Sequence, residues 1–313
     1  MQNNNKLRNA KKSKNDEFYT QYADIEKELR FYTESFKGKV VYCNCDDYQQ
    51  SNFYKYFYYN FQYLKLKKLI CTCFNANGKG LYAIYDGVTE ITGKLNGNGD
   101  FRSEECIEYL KECDVVVTNP PFSLFRQYVQ QLMDYGKKFI IIGNMNAITY
   151  KEIFPYIKNN QLWMGCSLNG TKCSFGVPES YNGNNVYIDD GKRMGKVNNA
   201  CWFTNIENKR RNEKLDLYKR YSFEDYPKYE NFDAIEVSRV DEIPMDYDGV
   251  MGVPITFLFK YNPTQFEIIW TSDRGGDGHL ENIKNPKWSG LWDSCFVGNK
   301  KVYKRILIRK IMK

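Results

Sequence analysis

Asp114-Val115-Val116-Val117-Thr118-Asn119-Pro120-Pro121-Phe122 decides how this chain is read. Three consecutive valines make a short apolar run of the kind buried on both faces of a parallel sheet. The two prolines then stop it, because neither has an N–H to give a neighbouring strand. Working outward, strand and helix signals alternate. Upstream stand a strand at 39–44, an aromatic helix candidate at 51–63, a strand at 68–73, a breaker cluster at 75–80, a strand or hairpin arm at 82–89, a glycine-rich turn at 93–99 and a helix at 103–112. An amphipathic helix over 24–36, with Ile25, Leu29 and Tyr32 at helical spacing, precedes them, and Gly38 ends it. Downstream the spacing predicts a helix at 125–135, a strand at 137–143 and a helix at 148–158. Strands alternating with helices of about ten residues call for an α/β, doubly wound parallel sheet with right-handed crossovers. Ligands of such sheets sit beyond the carboxyl ends of the strands, where three polar turns fall: residues 43–47, Asp100-Phe101 and 119–122.

Beyond residue 160 the rhythm changes to short strand-like pieces (162–166, 200–204, 257–261, 266–271, 302–308) between Gly, Asn and Pro turns, which predicts an irregular α+β region. The chain divides into a basic leader (1–15), an α/β body (16–206) and a C-terminal region (207–313). A length of 313 residues with 42% hydrophobic and 16% aromatic side chains excludes a peptide-sized binder and wholesale disorder. The longest aliphatic runs, such as 139–142, fall far short of the ~20 apolar residues of a membrane helix, and no secretory segment is apparent, so a cytoplasmic protein without membrane contact is expected.

The net charge of +7 is unevenly placed. Residues 1–14 hold five basic side chains and residues 299–313 hold seven, with no acid in either stretch; removing these twelve from the 45 leaves 33 basic against 38 acidic. Solvated basic ends or a polyanion partner both fit that distribution. Ten cysteines without a secretory signal indicate free thiols. Cys43/Cys45 and Cys71/Cys73 can be drawn as half-sites for zinc, but they sit in strand-like runs where small apolar thiols are the simpler account, and no metal is expected. The single histidine, His279, leaves little room for a triad built on imidazole.

Asn-Pro-Pro-aromatic at the end of a buried strand resembles the signature of amino-methyltransferases that use S-adenosylmethionine. The chemistry explains the residue types. An exocyclic adenine amine is a poor nucleophile because its lone pair is delocalised into the ring. Two acceptors for its N–H hydrogens, the Asn119 side-chain carbonyl and the Pro120 main-chain carbonyl, favour a pyramidal nitrogen and stabilise the charge that develops there. Pro120 and Pro121 stiffen the loop and bring no competing N–H. Phe122 offers a face on which a flipped base can stack, worth ~1–3 kcal/mol. A plain Asn-Pro turn after a strand is the alternative.

Five stretches (16–21, 40–47, 99–103, 119–125 and 142–149) resemble the adenine-specific DNA methyltransferases of the EcoRI modification-methylase family. The resemblance implies a Rossmann-like S-adenosylmethionine-dependent methyltransferase sheet with a C-terminal target-recognition region. It also implies N6-adenine methylation of double-stranded DNA, with the cofactor segment ahead of the catalytic motif, and a cognate restriction endonuclease as possible partner. On this basis Asn119, Pro120, Pro121 and Phe122 are the expected catalytic loop. Phe18, Tyr19 and Thr20 would cover the methionine end of the cofactor, and Cys43, Asn44 and Asp46 occupy its glycine-rich first motif, although the usual G-x-G is absent. Asp46 would hold the ammonium group, unless it merely caps the next helix. Asp100 and Phe101 would accept from and pack on the cofactor adenine. The usual ribose-binding acid is missing, since Cys73-Phe74-Asn75 stands there. Trp202 and Phe203 are candidates for a second aromatic against the flipped base, or core.

Extruding the base requires phosphate clamping and sequence readout. Arg274, in the loop 271–279, is a candidate for reading a guanine edge, or an ordinary surface arginine. Lys301, Lys304 and Arg305 are candidates for phosphate contact. Methylation of RNA or of a protein glutamine by the same chemistry, and a non-catalytic DNA-binding protein on this fold, remain open alternatives.

Overall fold

The run around Val115–Thr118 lies at the centre of one large sheet. The computed structural model describes residues 19–170, 173–177 and 185–311. In chain order Tyr22–Leu29 (α1) and Thr33–Phe36 (α2) lead into Val40–Asn44 (β1), and Asn52–Tyr59 (α3) and Phe61–Leu64 (α4) into Lys68–Cys73 (β2). Leu81–Tyr85 (β3), Glu90–Lys94 (β4), Glu104–Glu112 (α5), Val115–Thr118 (β5), Phe125–Asp134 (α6) and Lys138–Asn144 (β6) follow. Then come Phe154–Lys158 (α7), Trp163–Asn169 (β7), Cys173–Gly176 (β8), Val186–Asp189 (β9), Lys192–Val197 (β10) and Ala200–Thr204 (β11).

Eight of these strands form one sheet in the order β4-β3-β2-β1-β5-β6-β11-β7. β2, β1, β5 and β6 run parallel, while β3, β4 and β11 are antiparallel to their neighbours. Alternation sorts the side chains. Val41, Cys43, Leu69, Cys71, Val115, Val117, Ile140 and Ile142 join the core beneath α1 to α4. Their neighbours take the opposite face, where Tyr42 meets Tyr109 of α5 and Phe203 meets Phe125 of α6. The chain leaves β1 toward β2 and later returns to β1's other side with β5, which creates a topological switch between β1 and β5.

Local competition explains where helices differ from their expected extents. Residues 24–36 break after Leu29, where Phe31 and Tyr32 donate to carbonyls only three residues back. Residues 51–63 break at Asn60, whose side-chain amide donates to the Tyr56 carbonyl. The helix expected at 148–158 shrinks to α7, with Pro155 in its first turn and a 3-10 turn at Met145–Thr149 before it.

The chain forms two compact units, one of Met1–Ala147 with Met164–Glu207 and one of Ile148–Trp163 with Asn208–Lys313. The 16–206 body is therefore interrupted by a segment that packs with the C-terminal region. That second unit contains Ile235–Glu236 (β12), Met251–Pro254 (β13), Phe266–Thr271 (β14), Phe296–Val297 (β15), Lys300–Lys301 (β16) and Arg305–Lys310 (β17). Its main sheet has the order β12-β13-β17-β14. Among the described residues its one α-helix is α7, and the strand expected at 257–261 is a 3-10 turn (Ile255–Phe259) following Pro254. No helix of the described residues is long and apolar enough to cross a membrane.

Candidate active site

The carboxyl ends of β1 and β5 bring together what the sequence separates by more than seventy residues. Asp46 follows β1 and Asn119 follows β5. The Thr118 hydroxyl donates to Asp46 Oδ2 at 2.5 Å and also abuts the Asn44 carbonyl, tying the two strand ends together. Asp46 Oδ1 accepts from Ser51 Oγ at 2.8 Å. Ser51, not Asp46, caps α3, accepting from the N–H groups of Phe53 and Tyr54. Asn52, the next residue, donates through its side chain to the Thr20 carbonyl at 2.7 Å. A continuous path of hydrogen bonds and neighbouring residues thus runs from Thr20 through Asn52, Ser51, Asp46 and Thr118 to Asn119. Ser51 and Asn52 were not anticipated; the polar pair opening the helix after β1 was their only signal.

The catalytic-loop candidates stand where the strand places them. Asn119, Pro121 and Phe122 are half-buried and Pro120 is buried. Phe122 opens a 3-10 turn running into α6 and packs against the core beneath α1 to α4. Tyr19 is held by paired main-chain bonds to Gly176, 2.8 Å each, which fixes the strap that carries Thr20. Phe18 lies outside the described residues, as does the basic leader.

The absent G-x-G has a structural counterpart. Cys45 takes φ +67°, a left-handed conformation that glycine ordinarily supplies at such a turn. It lets the Asp46 N–H continue the ladder to the Thr72 carbonyl at 3.0 Å. Asn44 is buried beside it, its Oδ1 accepting from Cys45 Sγ at 3.4 Å. Cys43 and Cys71 lie opposite each other in register and fully buried, and burial pushes both thiols up. The Cys43 side chain is therefore core, and a cofactor contact by that side chain is corrected accordingly.

Asp100 and Phe101 lie at the start of α5. Asp100 takes a forked pair from the Arg102 guanidinium, 2.9 and 2.6 Å, and the Arg102 N–H at 2.9 Å. Phe101 is 3% exposed, its ring edge-on to Tyr128 at 5.0 Å between centroids. Gln131 of α6 donates to the Phe101 carbonyl at 3.1 Å, so α6 fixes this loop. At the end of β2, Asn75 is consumed by its own turn, bonding to Asn77 N–H and the Lys79 carbonyl.

Two hydroxyls in this unit, Thr20 Oγ1 and Tyr128 OH, are buried with no hydrogen-bond partner among the described residues. Buried polar groups are normally satisfied, so a polar ligand at this edge suits them. With the anchored Asp46 carboxylate at the same sheet edge, the residues fit an amino-acid-bearing nucleoside such as S-adenosylmethionine.

Trp202 and Phe203 are both corrected. Each is 0% exposed: Trp202 meets Phe53 edge-on at 6.0 Å and Phe203 packs on Phe125 at 4.9 Å. A strand buried on both faces leaves neither ring open to a base. The cationic candidates in the second unit also have internal partners. Arg305 is sunk beside Glu236, with side-chain exposures of 12% and 8%, and grips it through Nε and Nη2. It is an internal cross-link, which corrects the expected phosphate contact. Lys304 bonds Thr149 Oγ1 at 2.7 Å and Asp273 at 3.2 Å. Lys301 pairs with Asp293 at 2.5 Å and stays about half-exposed. Arg274, at φ +53°, forks onto Asp277 (3.1 and 2.8 Å) and donates to the Thr149 carbonyl at 3.2 Å.

The family model described as adenine-specific methyltransferase EcoRI matches residues 6–311. The Type II methyltransferase M.EcoRI of Escherichia coli is 49% identical over 291 residues, covering 85% of this chain and 89% of the relative. M.MpnI of Mycoplasma pneumoniae is 44% identical over 267 residues (83% of each), and a Type II methyltransferase of Mycoplasma genitalium 39% over 310 residues (96% and 97%). Among solved structures, a putative RNA methyltransferase from Pyrococcus horikoshii matches with a TM-score of 0.31 and 13% identity over 62% of this chain and 89% of that one. With Asn-Pro-Pro-Phe seated at the switch point of a mostly parallel sheet and the match running almost end to end, the chain belongs to the EcoRI family of adenine-specific methyltransferases.

Proposed function

We propose that this protein transfers a methyl group from S-adenosylmethionine to N6 of an adenine flipped out of duplex DNA, at a specific site. The observation that carries this reading is the Asn119 loop tied through Thr118 to the anchored Asp46 carboxylate at one sheet edge. When bound, the cofactor supplies an electrophilic methyl group on sulfur. Asp46, oriented by Ser51 and Thr118, holds its ammonium end. Thr20, strapped down by Asn52, covers the methionine portion, with Tyr19 beside it. Asn44 and the backbone around Cys43 border the same pocket, and Asp100 with Phe101 faces the cofactor adenine. The Asn119 side-chain carbonyl and the Pro120 carbonyl accept the two N–H hydrogens of the target amine. Its lone pair is thereby localised toward the methyl group, and the positive charge that grows on nitrogen meets two oriented dipoles. Pro121 and Phe122 fix the loop, and Phe122 bears on the base.

The second unit, with 207–313 at its centre, is proposed to recognise DNA. Lys301 and the adjacent Lys300 contact phosphate, and Arg274 and Lys304 border the groove once their acids yield. The M.EcoRI and M.MpnI names place those relatives among Type II systems, which supports a role beside a cognate endonuclease. The test is to express the protein in cells lacking N6-methyladenine and to sequence their DNA with a method that reads that base in context. One recurrent methylated motif, lost in Asn119→Ala, is expected; methyl transfer to RNA or protein instead of DNA overturns the reading.

A further inference from the structure

Among the described residues the hydroxyl of Tyr128 has no hydrogen-bond partner, and its position points outside the chain for one. Tyr128 stands in the first turn of α6, directly after the Asn-Pro-Pro-Phe loop, so it enters the sheet near the carboxyl ends of the strands. Its side chain is 1% exposed and its ring meets Phe101 edge-on at 5.0 Å. Burial pushes its phenol well up, and nearby Cys45, Tyr42, Asp46 and Cys113 push the same way; Cys45 and Asp46 belong to the turn after β1. The Tyr42 hydroxyl bonds Thr72 Oγ1 at 2.7 Å and makes no hydrogen bond to Tyr128. Among the described residues the phenolic oxygen is buried without a hydrogen-bond partner. A phenylalanine would fill the same space with no stranded polar atom, and stranding one costs about 1–3 kcal/mol. A hydroxyl kept under that penalty marks a place where a partner arrives from outside the chain.

We propose that Tyr128 is a cofactor-positioning residue whose hydroxyl hydrogen-bonds the adenosine part of the methyl donor, directly or through one seated water, from beneath the Cys45 turn. This deepens the S-adenosylmethionine reading above and rests on it. The ring contact with Phe101 selects the adenosine end.

Tyr128→Phe removes one oxygen and leaves the packing. Calorimetric titration with S-adenosylhomocysteine and with adenosine, thermal unfolding without ligand, and steady-state methylation would be compared with wild type. The expected result is a Kd for both ligands weakened roughly three- to tenfold, with KM for the methyl donor rising in step. KM for DNA and kcat stay unchanged, and the ligand-free Tm stays equal or rises. Wild-type affinity in Tyr128→Phe overturns the proposal. A lowered ligand-free Tm also overturns it, because the hydroxyl would then have a partner inside the fold. A wild-type protein that binds neither ligand overturns the methyl-donor reading itself, a failure distinct from the other two.

Discussion

At the scale of single residues, the catalytic argument rests on Asn119 as a hydrogen-bond acceptor. Asn119→Ala is expected to lower the single-turnover methylation rate by about 10²–10³, the usual cost of one group aimed at transition-state charge, with cofactor Kd near wild type. A loss seen only in cofactor binding would move Asn119 out of the chemistry. Cys45 shows how a residue stands in for a missing motif. Its φ of +67° suits glycine and resists a β-branched side chain. Cys45→Gly should therefore fold with wild-type stability within about 1 kcal/mol, while Cys45→Val should be less stable by about 1–3 kcal/mol in urea unfolding. The left-handed turn was not legible, because dihedral angles do not show in residue identity when the residue is not glycine.

At the scale of elements, α3 is the lever that joins the cofactor strap to the sheet edge. Ser51 caps it and orients Asp46 at once. Ser51→Ala should cost about 1 kcal/mol of stability from the lost cap and additionally weaken cofactor binding, because Asp46 loses a donor. Loss of stability alone would show that Asp46 needs no such help. The strand β7, at the sheet's edge, is finished by a buried carboxylate. Glu28 of α1 accepts from the N–H groups of Cys166 and Ser167, the Ser167 hydroxyl at 2.6 Å and the Tyr32 hydroxyl at 2.9 Å. Glu28→Ala would strand these donors and cost about 3–5 kcal/mol. Burial raises the proton affinity of Glu28 despite its hydrogen bonds. The folded state thus holds the proton more tightly than the unfolded one, so this contribution is complete below the ordinary carboxylate range and declines as pH rises through the raised value. The penalty of Glu28→Ala, measured by denaturation, is expected to be larger near pH ~5 than near pH ~8; the opposite trend would mean that the hydrogen bonds outweigh burial.

At the scale of the molecule, the basic C-terminal run divides into two kinds of cation. Lys300 and Lys301 are exposed, and their joint replacement by alanine should reduce the salt slope of DNA binding by up to about two while leaving cofactor affinity unchanged. Arg305 instead holds Glu236 below the surface, so Arg305→Ala should destabilise its unit by about 3–5 kcal/mol, seen in thermal unfolding rather than in salt dependence. The chain passes between the two units three times, because Ile148–Trp163 packs with the C-terminal region. Phe154 meets Trp270 at 5.1 Å and Trp163 carries the Arg211 guanidinium at 3.4 Å, so residues 207–313 alone lack part of their own core. The sequence by itself determined the parallel centre of the sheet and the position of Asn-Pro-Pro-Phe at its carboxyl edge, since strand period and proline chemistry are local properties, and the resemblance of five stretches pointed to the adenine-methyltransferase family. Only the tertiary structure decided that Trp202 and Phe203 are core, that Arg305 is an internal partner of Glu236, and that Ile148–Trp163 joins the second unit. Each of those depends on which distant residue comes to lie opposite, and a linear pattern records that a side chain is aromatic or charged without recording what will bury or neutralise it.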